Sequence, residues 1–474
     1  MLSRRELAAL VTSGAVWPSI IWAQTPDATK THIAQAAHLT VEVPASWTHT
    51  PPLPGGPQAI GAQDGFFVAT PVVFDFLHDA SAAMSKMWAL PEEEVAPTSV
   101  TWRGMDGLRF DAGATEDAAA ISVLVVPNPH PILTIGGSTH YLMLMGDTSH
   151  FDAIIESITF GLEHVAPAHL ARSILDLVHA HSWFRNDVDW GNLYNRAAEI
   201  EAEGEIATYL QFRVLSSLRS AGDNHSFIRN MDGLVNIATP TMDGQKPNYP
   251  TGGIVEGYGY ISFPSTNMFT QDYVEDYARI ASQLRNDAVD RGVCGWLIDL
   301  RSMHGGSVSP LLTTLYPFLP DGKIAGFLDA YGNELWIEKQ GQRITPPAYW
   351  QDIGDIPWPE GLDNPDVPVA VLTGIGNASA GEFVQLALTS RENLLTFGLS
   401  TGGYTTGNIG LMLYNSTHFA LATSAELDVH GNVYTGVIPP DVEDFDIGAG
   451  TGILQEDLAT ALDWLDGQCA SAIR

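Results

Sequence analysis

The sequence predicts a mixed chain, a small α+β region followed by a helical stretch and an α/β core. Three observations predict it. Residues 24 to 163 alternate apolar and polar side chains in short β-like runs, residues 170 to 218 carry apolar side chains at helical spacing, and residues 253 to 388 run strand, helix, strand, strand, helix. At 474 residues the chain exceeds what one core serves, so two or three domains are expected.

The α+β region opens on Leu39-Thr-Val-Glu-Val43 and continues through Phe66-Phe-Val68, Ile121-Ser-Val-Leu-Val-Val126 and Tyr141-Leu-Met-Leu-Met145. It closes on Phe151 to Phe160, a short amphipathic helix running into a strand. Val165-Ala-Pro-Ala-His169 reads as a linker, after which Leu170, Ile174, Leu177 and Val178 share one helix face. A polar turn, Gly222-Asp-Asn-His-Ser-Phe227, ends the helical stretch. The core then presents Tyr258-Gly-Tyr-Ile-Ser-Phe263, a helix over Tyr273 to Ala288, and Gly295-Trp-Leu-Ile-Asp-Leu-Arg301 leading into Ser-Met-His-Gly-Gly306. Strands separated by crossover helices imply a mainly parallel sheet.

Pro368-Val-Ala-Val-Leu-Thr373 is a nearly continuous apolar run, as a buried parallel strand requires, and Phe383, Leu386 and Ala387 follow at helical spacing. Between them lies Ser379-Ala-Gly-Glu382, which has two readings. It fits a capping box, with serine and glutamate satisfying orphan N–H groups at a helix start. It also puts a serine on a strand-to-helix turn, where the helix N-terminus stabilises an oxyanion. It is not the G-x-S-x-G elbow, since the string is Gly376-Asn-Ala-Ser-Ala-Gly381.

A formal net charge of −33, without clustered lysine or arginine, excludes nucleic acid as a partner class. The N-terminus has a charged start, a modestly apolar Ala8 to Ala23 of 16 residues, and a small residue before Gln24. A bilayer span takes ~20 apolar residues, so the reading is a cleaved export signal over residues 1–23 and a periplasmic or secreted protein with no integral membrane segment after cleavage. Ser3-Arg-Arg-Glu-Leu7 resembles the twin-arginine motif. Cys294 and Cys469 are the two cysteines, too few for a zinc site or a disulfide framework. They read as a buried strand thiol and a loose tail thiol, although an oxidising compartment permits a bridge. There is no H-E-x-x-H, and His179 and His181 do not face each other on a helix, so neither metal nor cofactor is expected.

Three stretches together resemble peptidase family S41, the tail-specific, C-terminal processing and tricorn-like serine proteases. They are Asp223-Asn-His-Ser226, Asp299-Leu-Arg-Ser-Met-His-Gly-Gly306 and Ser379-Ala-Gly-Glu382, supported by Thr401-Gly-Gly403 and Pro440-Asp441. The resemblance spans roughly residues 165 to 450 and implies the ClpP/crotonase-like core of that family. The opening Leu-x-Val-x-Val-Pro-x-x-Trp47 and the closing helix and strand resemble the small α+β domains of the PsbP/Mog1 type. The domain reading is therefore 1–23 signal, 24–163 accessory α+β domain, 164–252 helical subdomain with the histidine turn, and 253–474 catalytic core.

The resemblance implies a nucleophile at Ser379 and an oxyanion hole from the N–H of Gly305 or Gly306 together with that of Ala380. A serine hydroxyl needs a base to take its proton. In the Ser-Lys branch that base stands 25 positions after the serine, which here is Tyr404, and Asn408 occupies a position that often holds glutamine. No lysine follows Ser379, so the base implied is His225, as in the tricorn-like branch, with Ser226 beside it. A third member that orients the imidazole is not evident; Glu382 and Glu426 are the candidates, Glu382 first as a cap. Asn230 to Gly253 is 24 residues, below the ~50 of a domain, so the inserted PDZ domain of many relatives is missing. The expected activity is cleavage of polypeptide by an exported serine peptidase. The alternatives are a catalytically silent S41-like ligand-binding protein and an esterase on small acyl substrates.

Overall fold

The computed structural model describes residues 28–49, 59–62, 65–72, 76–88, 95–113, 120–130, 133–134, 137–138, 140–203, 207–230, 247–266, 271–341, 343–345, 366–413, 417–449 and 458–472. The signal reading over residues 1–23 lies outside them. Two compact units divide the chain: residues up to 240 with 348–351 and 408–423, and residues 241–347, 352–407 and 424–474.

In the first unit an antiparallel seven-stranded sheet is ordered Thr48–His49, Ala59–Ala62, Gly65–Val72, Tyr141–Asp147, Ile121–Pro127, Met105–Ala112, Thr98–Trp102. Its central strands are apolar on both faces because both faces are covered. Phe67, Leu124, Val126, Leu142 and Leu144 pack with the helix Thr148–Glu156 and with Leu39, Val41 and Trp47. Their alternates, Phe66, Val68, Val123, Val125, Met143 and Met145, pack around Met84 and Phe110. This period of two explains how runs that look uniformly apolar still form one strand layer. Phe160 ends the region by pairing with Leu39, so the closing strand joins the opening one.

The expected linker is shorter than Val165–His169, because Pro167 takes the first turn of the helix Pro167–His181, where a missing N–H costs nothing. That helix and those at Trp190–Glu203 and Ala207–Ser220 bury Ile174, Leu175, Val178, Val214 and Leu218 against Ile409, Leu411, Phe419 and Leu421.

The second unit is built on a six-stranded sheet ordered Thr251–Val255, Tyr258–Ser262, Trp296–Asp299, Val369–Thr373, Leu394–Gly398, Val442–Glu443. Its first pair is antiparallel and all the rest are parallel. The helix Gln271–Val289 supplies the crossover between the second and third strands. Strands Trp296–Asp299, Val369–Thr373 and Leu394–Gly398 are adjacent and parallel, so the loops after them, 300–306, 374–379 and 399–404, leave from one edge of the sheet. That carboxyl edge is where open α/β sheets place their sites. A second, antiparallel sheet was not anticipated: Gly322–Asp329 pairs with Glu334–Gln340 on one side and with Ser424–Leu427 on the other.

The cysteine reading is corrected. Cys294 and Cys469 form a disulfide, with Cα atoms 5.8 Å apart. Cys469 is not on a loose tail: the helix Ala459–Ala472 packs Leu462, Leu465 and Cys469 among Leu297, Ala370 and Leu372 of the sheet. The bridge closes a sequence separation of 175 residues, and a loop of that order stabilises mainly by restricting the unfolded chain. Replacing both cysteines by alanine is expected to cost about 3 kcal/mol and to lower Tm by roughly 10 °C. Wild type should react with a thiol reagent only after reduction. An unchanged melting curve would show that the bridge does not constrain folding.

Candidate active site

The loop after Trp296–Asp299 is fixed first. Asp299 Oδ1 accepts from Arg301 N–H at 3.0 Å and Nε at 2.9 Å, and Oδ2 accepts from Arg301 Nη2 at 2.8 Å and the Tyr260 hydroxyl at 2.7 Å. Arg301 Nη1 donates to the Ile447 carbonyl at 3.0 Å. Burial alone would lower the guanidinium pKa, and the carboxylate more than reverses it. The Asp-Leu-Arg motif is thus a buried, fully bonded ion pair that orients the turn into Gly305 and Gly306.

That turn lies against the serine. Ala378 N–H donates to the Met303 carbonyl at 2.9 Å. A Cβ at Gly376 would stand 2.3 Å from the Arg301 carbonyl oxygen, and one at Gly381 2.8 Å from that of Met303. A Cβ at Gly305 would stand 3.0 Å from Ser379 Cβ, so this glycine touches the serine side chain. Gly305 and Gly306 have φ of 111° and 120°, which suits glycine. Among the described residues, nothing accepts a hydrogen bond from the N–H groups of Gly305, Gly306 or Ala380.

Ser379 has φ 53° and ψ −119°. An ordinary N-cap lies in the β region, whereas this conformation is sparsely populated by L-residues and costs on the order of 1–3 kcal/mol. Both capping-box positions are filled, but only the glutamate half is a full hydrogen bond: Glu382 Oε2 accepts from Ser379 N–H at 2.8 Å, while the serine oxygen makes no cap bond.

Glu382 does more than the sequence suggested. Fully buried, it also accepts from the Thr401 hydroxyl, from Gly403 N–H at 2.8 Å and from Tyr404 N–H at 2.7 Å. Burial raises its pKa and the four hydrogen bonds oppose the rise. Tyr404 therefore meets Glu382 through its backbone N–H. Glu426, the other candidate, is buried with Oε2 lacking a hydrogen-bond partner, and burial plus the charge of Glu382 push its pKa well up. A carboxyl raised in the fold holds its proton above the pH at which the unfolded chain loses it, so stability falls as pH rises from the unfolded value through the folded one. Glu426→Gln removes that titration. Its melting temperature relative to wild type should rise from pH 5 to pH 8; a constant difference would place the carboxyl in contact with water.

The histidine turn belongs to the first unit. Asp223, buried, accepts through Oδ1 from His225 N–H at 2.9 Å and Ser226 N–H at 2.8 Å, and Arg219 donates to the carbonyls of Asp223 and Ser226. Ser226 Oγ accepts from Ala422 N–H at 2.9 Å, and Asn408 Nδ2 donates to the His225 carbonyl at 3.1 Å. Ser226 and Asn408 thus fix the backbone that carries the imidazole. Nothing in the sequence pointed Asn408 to that carbonyl.

Residues 257–444 match the profile of peptidase family S41. That region is an S41 peptidase core. The family is one of serine-type peptidases, and the chain is a hydrolase of that class. The nisin-resistance protein of Lactococcus lactis subsp. lactis is 24% identical to this chain over 254 residues, covering 53% of it and 72% of the relative. A lipoprotein from Streptococcus agalactiae shares the fold at a TM-score of 0.50 and 23% identity, over 64% of this chain and 96% of that one. The photosystem II D1 C-terminal processing protease aligns at a TM-score of 0.33 and 19% identity, over 42% of this chain and 49% of its own. Among the described residues, no helix is long and apolar enough to cross a membrane, and no group of three or more His, Cys, Asp or Glu is placed to hold a metal.

Proposed function

We propose that the chain is an exported serine peptidase in which Ser379 attacks the peptide carbonyl, His225 takes its proton, and the N–H of Gly305 or Gly306 with that of Ala380 stabilises the oxyanion. The observation that carries the reading is the strained backbone of Ser379, at φ 53°, held against Gly305. A cap does not need that strain; a serine that must project from a strand-to-helix turn does. The untaken N–H groups of Gly305, Gly306 and Ala380 supply donors for charge that develops only in the transition state.

His225 is assigned from the resemblance of its turn and from Tyr404 standing where the Ser-Lys branch has lysine. Glu382 binds the elbow and the Thr401–Tyr404 loop, so it acts as a positioning residue for Ser379. Export is supported by the signal-like N-terminus and by the Cys294–Cys469 bridge, which an oxidising compartment maintains. A relative named for nisin resistance makes nisin one polypeptide to include in a substrate panel.

The test combines a fluorophosphonate probe with matched peptide and ester substrates. Labelling at Ser379 with turnover of the peptides is expected. Absence of labelling would favour the ligand-binding alternative, and turnover confined to esters would favour the esterase.

A further inference from the structure

The loops beside Ser379 carry large apolar side chains turned to water. Ile375 is 78% exposed, Val437 57% and Tyr404 39%. They gather around two glycines. A Cβ at Gly402 would stand 3.1 Å from Tyr404 Cδ2, 3.1 Å from the Ile375 carbonyl oxygen and 3.2 Å from the Cβ of Ala378, the residue before the serine. A Cβ at Gly403 would stand 3.1 Å from Val437 Cγ1. The Gly402 N–H is bonded to the Asn377 carbonyl at 2.8 Å, which holds the glycines on the serine loop. Among the described residues, nothing accepts from the Val437 N–H and nothing donates to the Ile375 carbonyl.

We propose that Ile375, Tyr404 and Val437 form an apolar seat, floored by Gly402 and Gly403, that takes a large apolar side chain of the substrate adjoining the scissile bond. The inference rests on the peptidase reading. An extended peptide laid along this seat could pair its backbone with the Val437 N–H and the Ile375 carbonyl while covering the three side chains, as strand-adding recognition does. The bare glycines leave room for that approach. Charge decides what flanks the apolar residue: a chain of net charge −33 favours lysine or arginine over acidic neighbours. The substrate class is therefore a cationic peptide with a large apolar residue at the cleavage position.

The test separates binding from catalysis by using Ser379→Ala protein. The probes are fluorescein-labelled octapeptides with lysine at both ends and leucine, phenylalanine, serine or aspartate at the centre, read by anisotropy. Leucine and phenylalanine peptides should bind at least about tenfold more tightly than the serine and aspartate ones. Adding Ile375→Ser or Val437→Ser should remove most of that preference with an unchanged melting curve, and Tyr404→Ser should act in the same direction. Equal affinity for all four peptides, or a preference that survives all three substitutions, overturns the seat. A preserved preference in protein whose wild-type form neither labels with fluorophosphonate nor cleaves the leucine peptide would instead sink the peptidase reading and leave the seat standing.

Discussion

Ser379→Ala should eliminate fluorophosphonate labelling and lower peptide turnover by roughly 10³-fold or more, with little change in melting temperature. The size of the two effects separates the readings of this serine. A serine that only caps a helix would cost ~1 kcal/mol when replaced by alanine and would leave the activity of the folded protein intact. The geometry predicts a small stability cost, because Ser379 Oγ makes no cap bond and the elbow is held by groups that alanine keeps. Those are the bond from the residue 379 N–H to Glu382 Oε2 and the bond from the Ala378 N–H to the Met303 carbonyl. Alanine also inherits the same positive φ, so the strain is unchanged between the two proteins. Residual activity would reflect what the oxyanion donors supply without a nucleophile. A variant that melts several degrees lower yet keeps its turnover would make Ser379 a cap and leave the S41 core without its nucleophile.

The centre of the parallel sheet was legible because Tyr258–Ser262, Trp296–Asp299 and Val369–Thr373 are short apolar runs bounded by glycine, proline or a polar turn and the crossover helix has a clean period; Leu394–Gly398 and the two-residue Val442–Glu443 were not legible as strands. Trp296–Asp299 and Val369–Thr373 are buried along their whole length, which their composition requires. The second sheet was not legible for the opposite reason. Glu334–Gln340 mixes charged and apolar residues with partial burial; its own partners, Gly322–Asp329 and Arg343–Thr345, are neighbours in sequence, but the strand that completes the sheet beside Gly322–Asp329, Ser424–Leu427, comes from a distant part of the chain. The Ser379, Gly305 and Ala380 arrangement followed from motif order, and adjacent parallel strands bring those loops to one edge. What the motifs could not carry was Glu382 as a four-bond acceptor, since three of its donors lie 19 to 22 residues ahead on the next loop. The disulfide was missed because a cysteine five residues from the end looks unanchored until the last helix is seen packed beneath the sheet.

His225→Ala should lose roughly 10²- to 10⁴-fold in turnover, the usual contribution of a general base, whereas Tyr404→Phe should stay within a few-fold of wild type. Tyr404 occupies the lysine position of the Ser-Lys branch, so the two variants compare the two possible origins of the base. A phenol is a poor base at neutral pH, since it ionises only near ~10. The contact that ties Tyr404 to the elbow is its backbone N–H to Glu382 at 2.7 Å, which phenylalanine retains. The turn around His225 is held by Asp223, Ser226, Arg219 and Asn408 through backbone atoms, so alanine at 225 should leave the fold in place and remove only the imidazole. An imidazole accepts a proton only in its neutral form. Wild-type kcat/KM should therefore fall toward acid pH, and the residual activity of His225→Ala should lack that dependence. An inactive Tyr404→Phe beside a near-normal His225→Ala would reverse the assignment, returning His225 to a turn residue and giving the phenol a place in the chemistry.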